Sequence, residues 1–158
     1  MTDNSKSPYR GSLYIVWADQ RNGSDDADIW FTRSHNFGDN WSLPMRLNDD
    51  AKGKHQYMPW MTVDQATGYI YIVYYDRRNY DDNQTDVYLA YSADGGASFK
   101  NMRISENPFT PQEGASFADH ISISAHKGII TPVWTRMDEG KTSVWMAVIR
   151  QEELGKGD

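Results

Sequence analysis

Three short strings carry the residue types best suited to chemistry: Asp19-x-Arg21-Asn22, Asp76-x-Arg78-Asn79 and Arg136-x-Asp138. Residues two apart on an extended chain point to the same side, so each string sets a carboxylate beside a guanidinium. A guanidinium is planar, permanently charged and forked, which suits it to the carboxylate of a sugar acid or to a hydroxyl-rich ligand. Asp19, Arg21, Asn22, Asp76, Arg78, Asn79 and Arg136 are therefore the candidate ligand-binding residues. The same side chains admit a plainer role, with Arg21 paired to Asp28 and Arg78 to Asp86 so that the intervening loops are pinned. Features that recur with a repeat generally serve the repeat, so pinning is the favoured reading. A catalytic centre should break the repeat, and no catalytic residue is assigned.

Two acidic loops, Asp25/Asp26/Asp28 and Asp81/Asp82/Asn83/Asp86, offer oxygen ligands of the kind Ca²⁺ takes. They lack the glycine and distal glutamate of an EF-hand loop, so solvated loops are expected, with Ca²⁺ the one cofactor to consider and no metal-ligating residue assigned. His120 and His126 lie about 20 Å apart at strand rise, too far to share a metal. His55 and His120 are read as hydrogen-bonded structural groups. No phosphate-binding glycine loop, nucleophile elbow or zinc motif is present. The chain has no cysteine, which excludes disulfides and thiolate metal sites. A net charge of -6 with scattered basic residues speaks against nucleic-acid binding. No apolar run is long enough to cross a membrane, which predicts a soluble chain. Met1 to Lys6 leads into no apolar stretch and is not read as a signal peptide.

The elements that position these residues are strands. Aromatics make up 13% of the chain and are mostly Tyr and Trp, which favours β-structure over a helical bundle. Tyr71 to Asn79 lies over Tyr14 to Asn22 at a constant offset of 57 residues, and Val87 to Ser92 over Ile29 to Ser34 at 58. Ile130 to Arg136 and Val144 to Val148 form a decayed third copy. Strands are predicted at Leu13–Ala18, Ile29–Arg33, Met45–Leu47 and Tyr57–Val63, and in the later copies, with Leu13–Ala18 covered on both faces. After the strand ending at Arg33 comes Ser34-His35-Asn36-Phe37-Gly38-Asp39-Asn40-Trp41, and after Tyr91 comes Ser92-Ala93-Asp94-Gly95-Gly96-Ala97-Ser98-Phe99. Both read Ser-x-Asp/Asn-x-Gly-x-x-aromatic. In such a turn Asn36 or Asp94 accepts backbone N–H bonds, Gly38 or Gly96 takes positive φ, and Trp41 or Phe99 tucks beneath.

This turn resembles the Asp-box of the bacterial neuraminidase repeat, the signature of sialidase-like β-propellers; its structural residues here are Ser34, Asn36, Gly38, Trp41, Ser92, Asp94, Gly96 and Phe99. The resemblance implies an all-β partial β-propeller of about two and a half to three four-stranded antiparallel blades. With strands lettered A to D outward from the axis, the chain reads B-C-D, A-B-C-D, A-B-C, as one partial propeller domain over 1–158. Blade 1 spans about 11–50, blade 2 about 55–106 and blade 3 about 117–150. The resemblance also implies that the B–C loops share the ligand-bearing rim and that the Asp-boxes on the other rim are structural. Sialidases of the family use an arginine triad, a Tyr nucleophile with a Glu partner, and an Asp acid/base. Their first arginine sits in an Arg-Ile/Leu-Pro motif; Arg46-Leu47-Asn48 and Arg103-Ile104-Ser105 lack the Pro and fall on outer strands, and Glu106 and Glu113 have no Tyr in register. No catalytic residue is therefore carried over.

The function implied is that of a non-catalytic scaffold or a glycan- or protein-recognition module. The alternatives are a fragment of an exo-sialidase or other glycoside hydrolase with its catalytic residues elsewhere, and a protein–protein adaptor. By resemblance the protein is bacterial and extracellular or at the cell surface. Trp17, Trp30, Trp60, Trp134 and Trp145 are expected in the core between blades, and Tyr80, Phe109 and Phe117 in exposed loops. So few blades cannot close a ring, so terminal faces built from Ile15, Trp17, Val144 and Met146 are expected to drive self-association.

Overall fold

The computed structural model describes residues 1–112 and 120–155; Glu113 and Phe117 lie outside these. Eleven strands account for nearly all regular structure: β1 (Leu13–Asp19), β2 (Asp28–Ser34), β3 (Met45–Arg46), β4 (Gln56–Val63), β5 (Ile70–Asp76), β6 (Asp86–Ser92), β7 (Lys100–Arg103), β8 (Ile121–His126), β9 (Ile129–Asp138), β10 (Lys141–Met146) and β11 (Ile149–Arg150). They form three antiparallel sheets in chain order: β1-β2-β3, then β4-β5-β6-β7, then β8-β9 with β10 and β11 along the far edge of β9. β11 keeps the pairing register of β10 and is its continuation past a two-residue break. This is the B-C-D, A-B-C-D, A-B-C series. One short 3-10 turn, Gln151–Glu153, is the helical content among the described residues, and no helix is long and apolar enough to cross a membrane.

The repeat governs pairing. Leu13↔Ser34 through Asp19↔Asp28 in the first sheet recurs as Ile70↔Ser92 through Asp76↔Asp86 in the second. Side chains alternate across a strand, so each sheet buries one set of residues against the sheet before it and the other against the sheet after it. Tyr14, Ile29, Phe31 and Leu47 meet Ile70, Ile72, Tyr74 and Ala90 in one core. Tyr71, Val73, Tyr75, Val87 and Leu89 meet Ile121, Ile123, Ile130 and Trp134 in the other. The sheets stack as consecutive blades of an open, partial propeller.

β5, in the middle sheet, is buried at every position. β1 is not, contrary to the expectation for Leu13–Ala18, because among the described residues no sheet covers its other face: Tyr14 is buried while Ile15 is 47% exposed. The tryptophans are corrected for related reasons. Trp134 alone enters a core; Trp60 and Trp145 are exposed, and Trp17 and Trp30 are half-buried on the uncovered face of the first sheet. Phe109, expected in an exposed loop, is buried against Tyr75 and bridges Thr85.

The two turn strings fold as their composition demands. Ser34 Oγ accepts Gly38 N–H and Ser92 Oγ accepts Gly96 N–H, both at 2.9 Å. Asn36 Oδ1 accepts Asn40 N–H, and Asp94 Oδ1 accepts Ala97 and Ser98 N–H. Burial pushes the Asp94 carboxyl up, but the Ser98 hydroxyl and N–H, the Ser92 hydroxyl and the Ala97 N–H outweigh it and hold it at about 2. Gly38 and Gly96 have φ of +96° and +79°. Phe99 tucks onto Phe31 of the preceding sheet, with ring centroids 4.8 Å apart. Trp41 does not tuck: it is 41% exposed, since the first sheet has no preceding sheet to receive it.

Gly95 (φ +65°) of the second turn corresponds to Phe37 (φ +59°) of the first, a bulky residue in the left-handed region and 83% exposed. Phe37→Gly is therefore expected to raise stability by about 1 kcal/mol, a shift of a few degrees in the melting midpoint. Calorimetry checks it; a lower midpoint would mean that the contact of Phe37 with Gly11 outweighs the backbone strain.

Candidate functional site

The loops joining β1 to β2 and β5 to β6 lie at one end of the sheets, with the turn strings at the other. Each loop opens on an aspartate at a strand end whose carboxylate accepts the N–H two residues on: Asp19 from Arg21 at 3.1 Å, Asp76 from Arg78 at 2.7 Å. That small loop swings the arginine back over its own aspartate. Arg21 Nε donates to Asp19 Oδ1 at 2.9 Å and Arg78 Nε to Asp76 Oδ2 at 2.9 Å. Arg136 pairs with Asp138 in the same manner, at the tight β9–β10 turn. Arg21 and Arg78 thus pair with the aspartates two residues before them, correcting the expected pairs with Asp28 and Asp86.

Each guanidinium also covers an aromatic ring on the next strand: Arg21 over Trp30 at 4.3 Å, Arg78 over Tyr88 at 4.1 Å, Arg136 over Trp145 at 5.1 Å. These rings hold corresponding places in the repeat. The sheets differ in what reaches the arginine from outside. Arg78 receives Asp49, and Arg136 donates to the carbonyls of Asn107 and Pro108 at 3.0 and 3.2 Å. Both contacts come from linkers that leave one sheet for the next, although by the register of Leu47 and Ile104 it is Asp50, not Asp49, that matches Asn107. Among the described residues no linker from a preceding sheet reaches Arg21. Its side chain is 40% exposed, against 14% for both Arg78 and Arg136.

Asp28 and Asp86, both fully buried, anchor the other side of the loops. Asn22 Nδ2 and Arg46 Nε donate to Asp28, and Asn48 Nδ2 reaches it at 2.7 Å. Asp86 takes Asn79 Nδ2 at 3.3 Å, Tyr80 Oη at 3.0 Å and Ser105 Oγ at 2.9 Å, with Arg103 at 3.8 Å. So Asn22 and Asn79 pin the loops where the arginines were expected to. Sequence reasoning missed Arg46 and Arg103 as partners, although they stand 57 residues apart like the strings themselves. A buried chain of amides then joins the first two sheets: Asn48 to Gln56 Oε1 at 2.7 Å, and Gln56 to Asp76 Oδ1 at 3.3 Å.

Electrostatics follow from this wiring. The Arg21 hydrogen bond holds the Asp19 carboxyl well below its ordinary value. Burial instead pushes Asp76 up, against the pull of Arg78, so this carboxylate depends on its one close cation. Tyr74, Tyr80 and Tyr88 are all pushed up, chiefly by burial. That is the wrong direction for a phenol that must lose its proton to act as a nucleophile. His120 and His126 stand at opposite ends of β8. Asp81 is paired with Lys54, and among the described residues no group of three or more His, Cys, Asp or Glu could hold a metal ion.

No protein family and no curated protein matches the chain. Among solved structures it is similar to xylan beta-1,4-xylosidase from Bacillus Halodurans C-125, at 14% identity and a TM-score of 0.29, covering 87% of this chain and 41% of that one. The partial-propeller assignment rests on the stacked sheets themselves.

Proposed function

We propose that the chain is a sialidase-like propeller segment that serves as a non-catalytic scaffold, its loop-end arginines locking one sheet to the next. The observation that carries this reading is that Arg78 is spent internally, on Asp76, Asp49, the Tyr74 hydroxyl and the Tyr88 ring. A ligand carboxylate would have to displace Asp49 from Arg78; Arg103 lines the same cavity but stands beside Asp86 at 3.8 Å, and the loop-end arginines are spread one per sheet. The sialidase mechanism also needs an activated Tyr, and the phenols near these loops are shifted the other way.

A second reading, recognition of an acidic sugar, is favoured by the openness of Arg21 beside Trp17 and Trp30. One experiment addresses both readings. The purified chain is expected to leave a fluorogenic sialoside unhydrolysed, and calorimetric titration with a free sialoside separates the rest. No heat supports the scaffold alone; heat lost in Arg21→Ala supports recognition. Turnover abolished by Arg78→Ala would overturn both.

A further inference from the structure

The outer faces of the first and third sheets are counterparts of faces that already pair within the chain. Leu13, Ile15 and Trp17 of β1 correspond by the 57-residue repeat to Ile70, Ile72 and Tyr74 of β5, the face on which the second sheet receives the first. Val144 and Met146 of β10 correspond to Val87 and Leu89 of β6, the face on which the second sheet receives the third. Ile15, Trp41, Val144 and Met146 are 47%, 41%, 74% and 56% exposed. One copy of this chain thus carries both halves of an interface that it builds twice internally.

We infer that two copies associate head to tail, the third sheet of each seated on the first sheet of the other, closing a ring of six sheets. The occupant is argued from the repeat itself. Phe99 of the second sheet packs on Phe31 of the first. The place of Phe99 is held in the first sheet by Trp41, and that of Phe31 in the third sheet by Met146. Head-to-tail docking therefore sets Trp41 of one copy on Met146 of the other, and both are otherwise exposed apolar side chains. Propellers close with about four to eight blades, so two copies of three sheets fit and three copies do not. Such an interface is heterologous, joining two different patches, and closure uses each patch once per copy. The inference rests on the scaffold reading only for its purpose: sialoside turnover would end that reading and leave a measurement of mass unaffected.

The test is light scattering at tens of micromolar chain, with two variants at exposed positions. The native chain is expected at twice its 18.2 kDa. Ile15→Glu and Val144→Glu should each run as monomers, because each spoils one side of both contacts. Mixed, they should regain the doubled mass, since the intact first sheet of one accepts the intact third sheet of the other. The chain has no cysteine, so single-cysteine variants offer a second readout: a short bismaleimide should join Trp41→Cys chains to Met146→Cys chains in a mixture, and should join neither variant to itself. A monomeric native chain would overturn the inference and assign the faces to further sheets of a longer chain. Dimers lost in only one of the two glutamate variants, or masses that keep growing with concentration, would overturn it equally.

Discussion

Gly96→Val is expected to cost roughly 2–5 kcal/mol of folding free energy, a large share of the few to fifteen that a domain of this size holds. Two causes add. At φ +79° an L side chain carries a backbone penalty of about 1–2 kcal/mol. A Cβ there would also stand 2.6 Å from the Phe31 ring, and overpacking a formed core costs about 1–3 kcal/mol. Gly96 belongs to the second sheet and Phe31 to the first, so the substitution should pry the sheets apart as well as strain its turn. Comparison with Gly53→Val isolates the second cause: Gly53 has φ +92° and nothing within 4 Å of an added Cβ. Urea unfolding should show Gly96→Val losing clearly more than Gly53→Val. Equal losses would mean that the turn does not bear on the neighbouring sheet.

Arg78→Ala is expected to cost about 3–5 kcal/mol at neutral pH, the range for removing one partner of a buried ion pair. Asp76 is fully buried and already pushed up by burial, and Arg78 is the cation that opposes this rise. Without it, the folded-state pKa of Asp76 rises further above the unfolded value. A raised carboxyl pKa destabilises the fold fully above the folded-state value and ceases to do so only below the unfolded value, so the deficit should narrow as pH falls from neutral toward about 4. Urea midpoints across that window check the sign; a deficit that widened on acidification would contradict the assigned dependence.

Much of the architecture was legible because it is periodic. The 57-residue offset aligned strands, turns and arginines at once, and the paired registers of the first two sheets reproduce it. What periodicity could not show was how each copy differs by having or lacking a neighbour. Trp41 and Phe99 occupy equivalent places, yet only Phe99 has a sheet beneath it. Trp17 and Trp60 lie on strands, but a strand position says nothing of which face is covered. The arginine pairing was misread because Asp19 and Asp28 face each other across the strand pair, and the backbone turn at Asp19 decides which one Arg21 meets. The decayed third copy kept its arginine while its loop shrank to a two-residue turn at Glu139-Gly140, where Asp138 follows Arg136 and still supplies the carboxylate.

The locking role of these arginines is tested most directly by urea unfolding of Arg78→Ala and Arg21→Ala side by side at neutral pH. The two residues are equivalent in the repeat, share the aspartate two positions before them and the aromatic ring beneath, and differ in whether a linker from a preceding sheet arrives. A lock predicts that Arg78→Ala shifts the midpoint strongly while Arg21→Ala moves it by only a small fraction of that shift. Small and equal shifts in both, with sialoside binding lost in both, would contradict the account and make the arginines a ligand site.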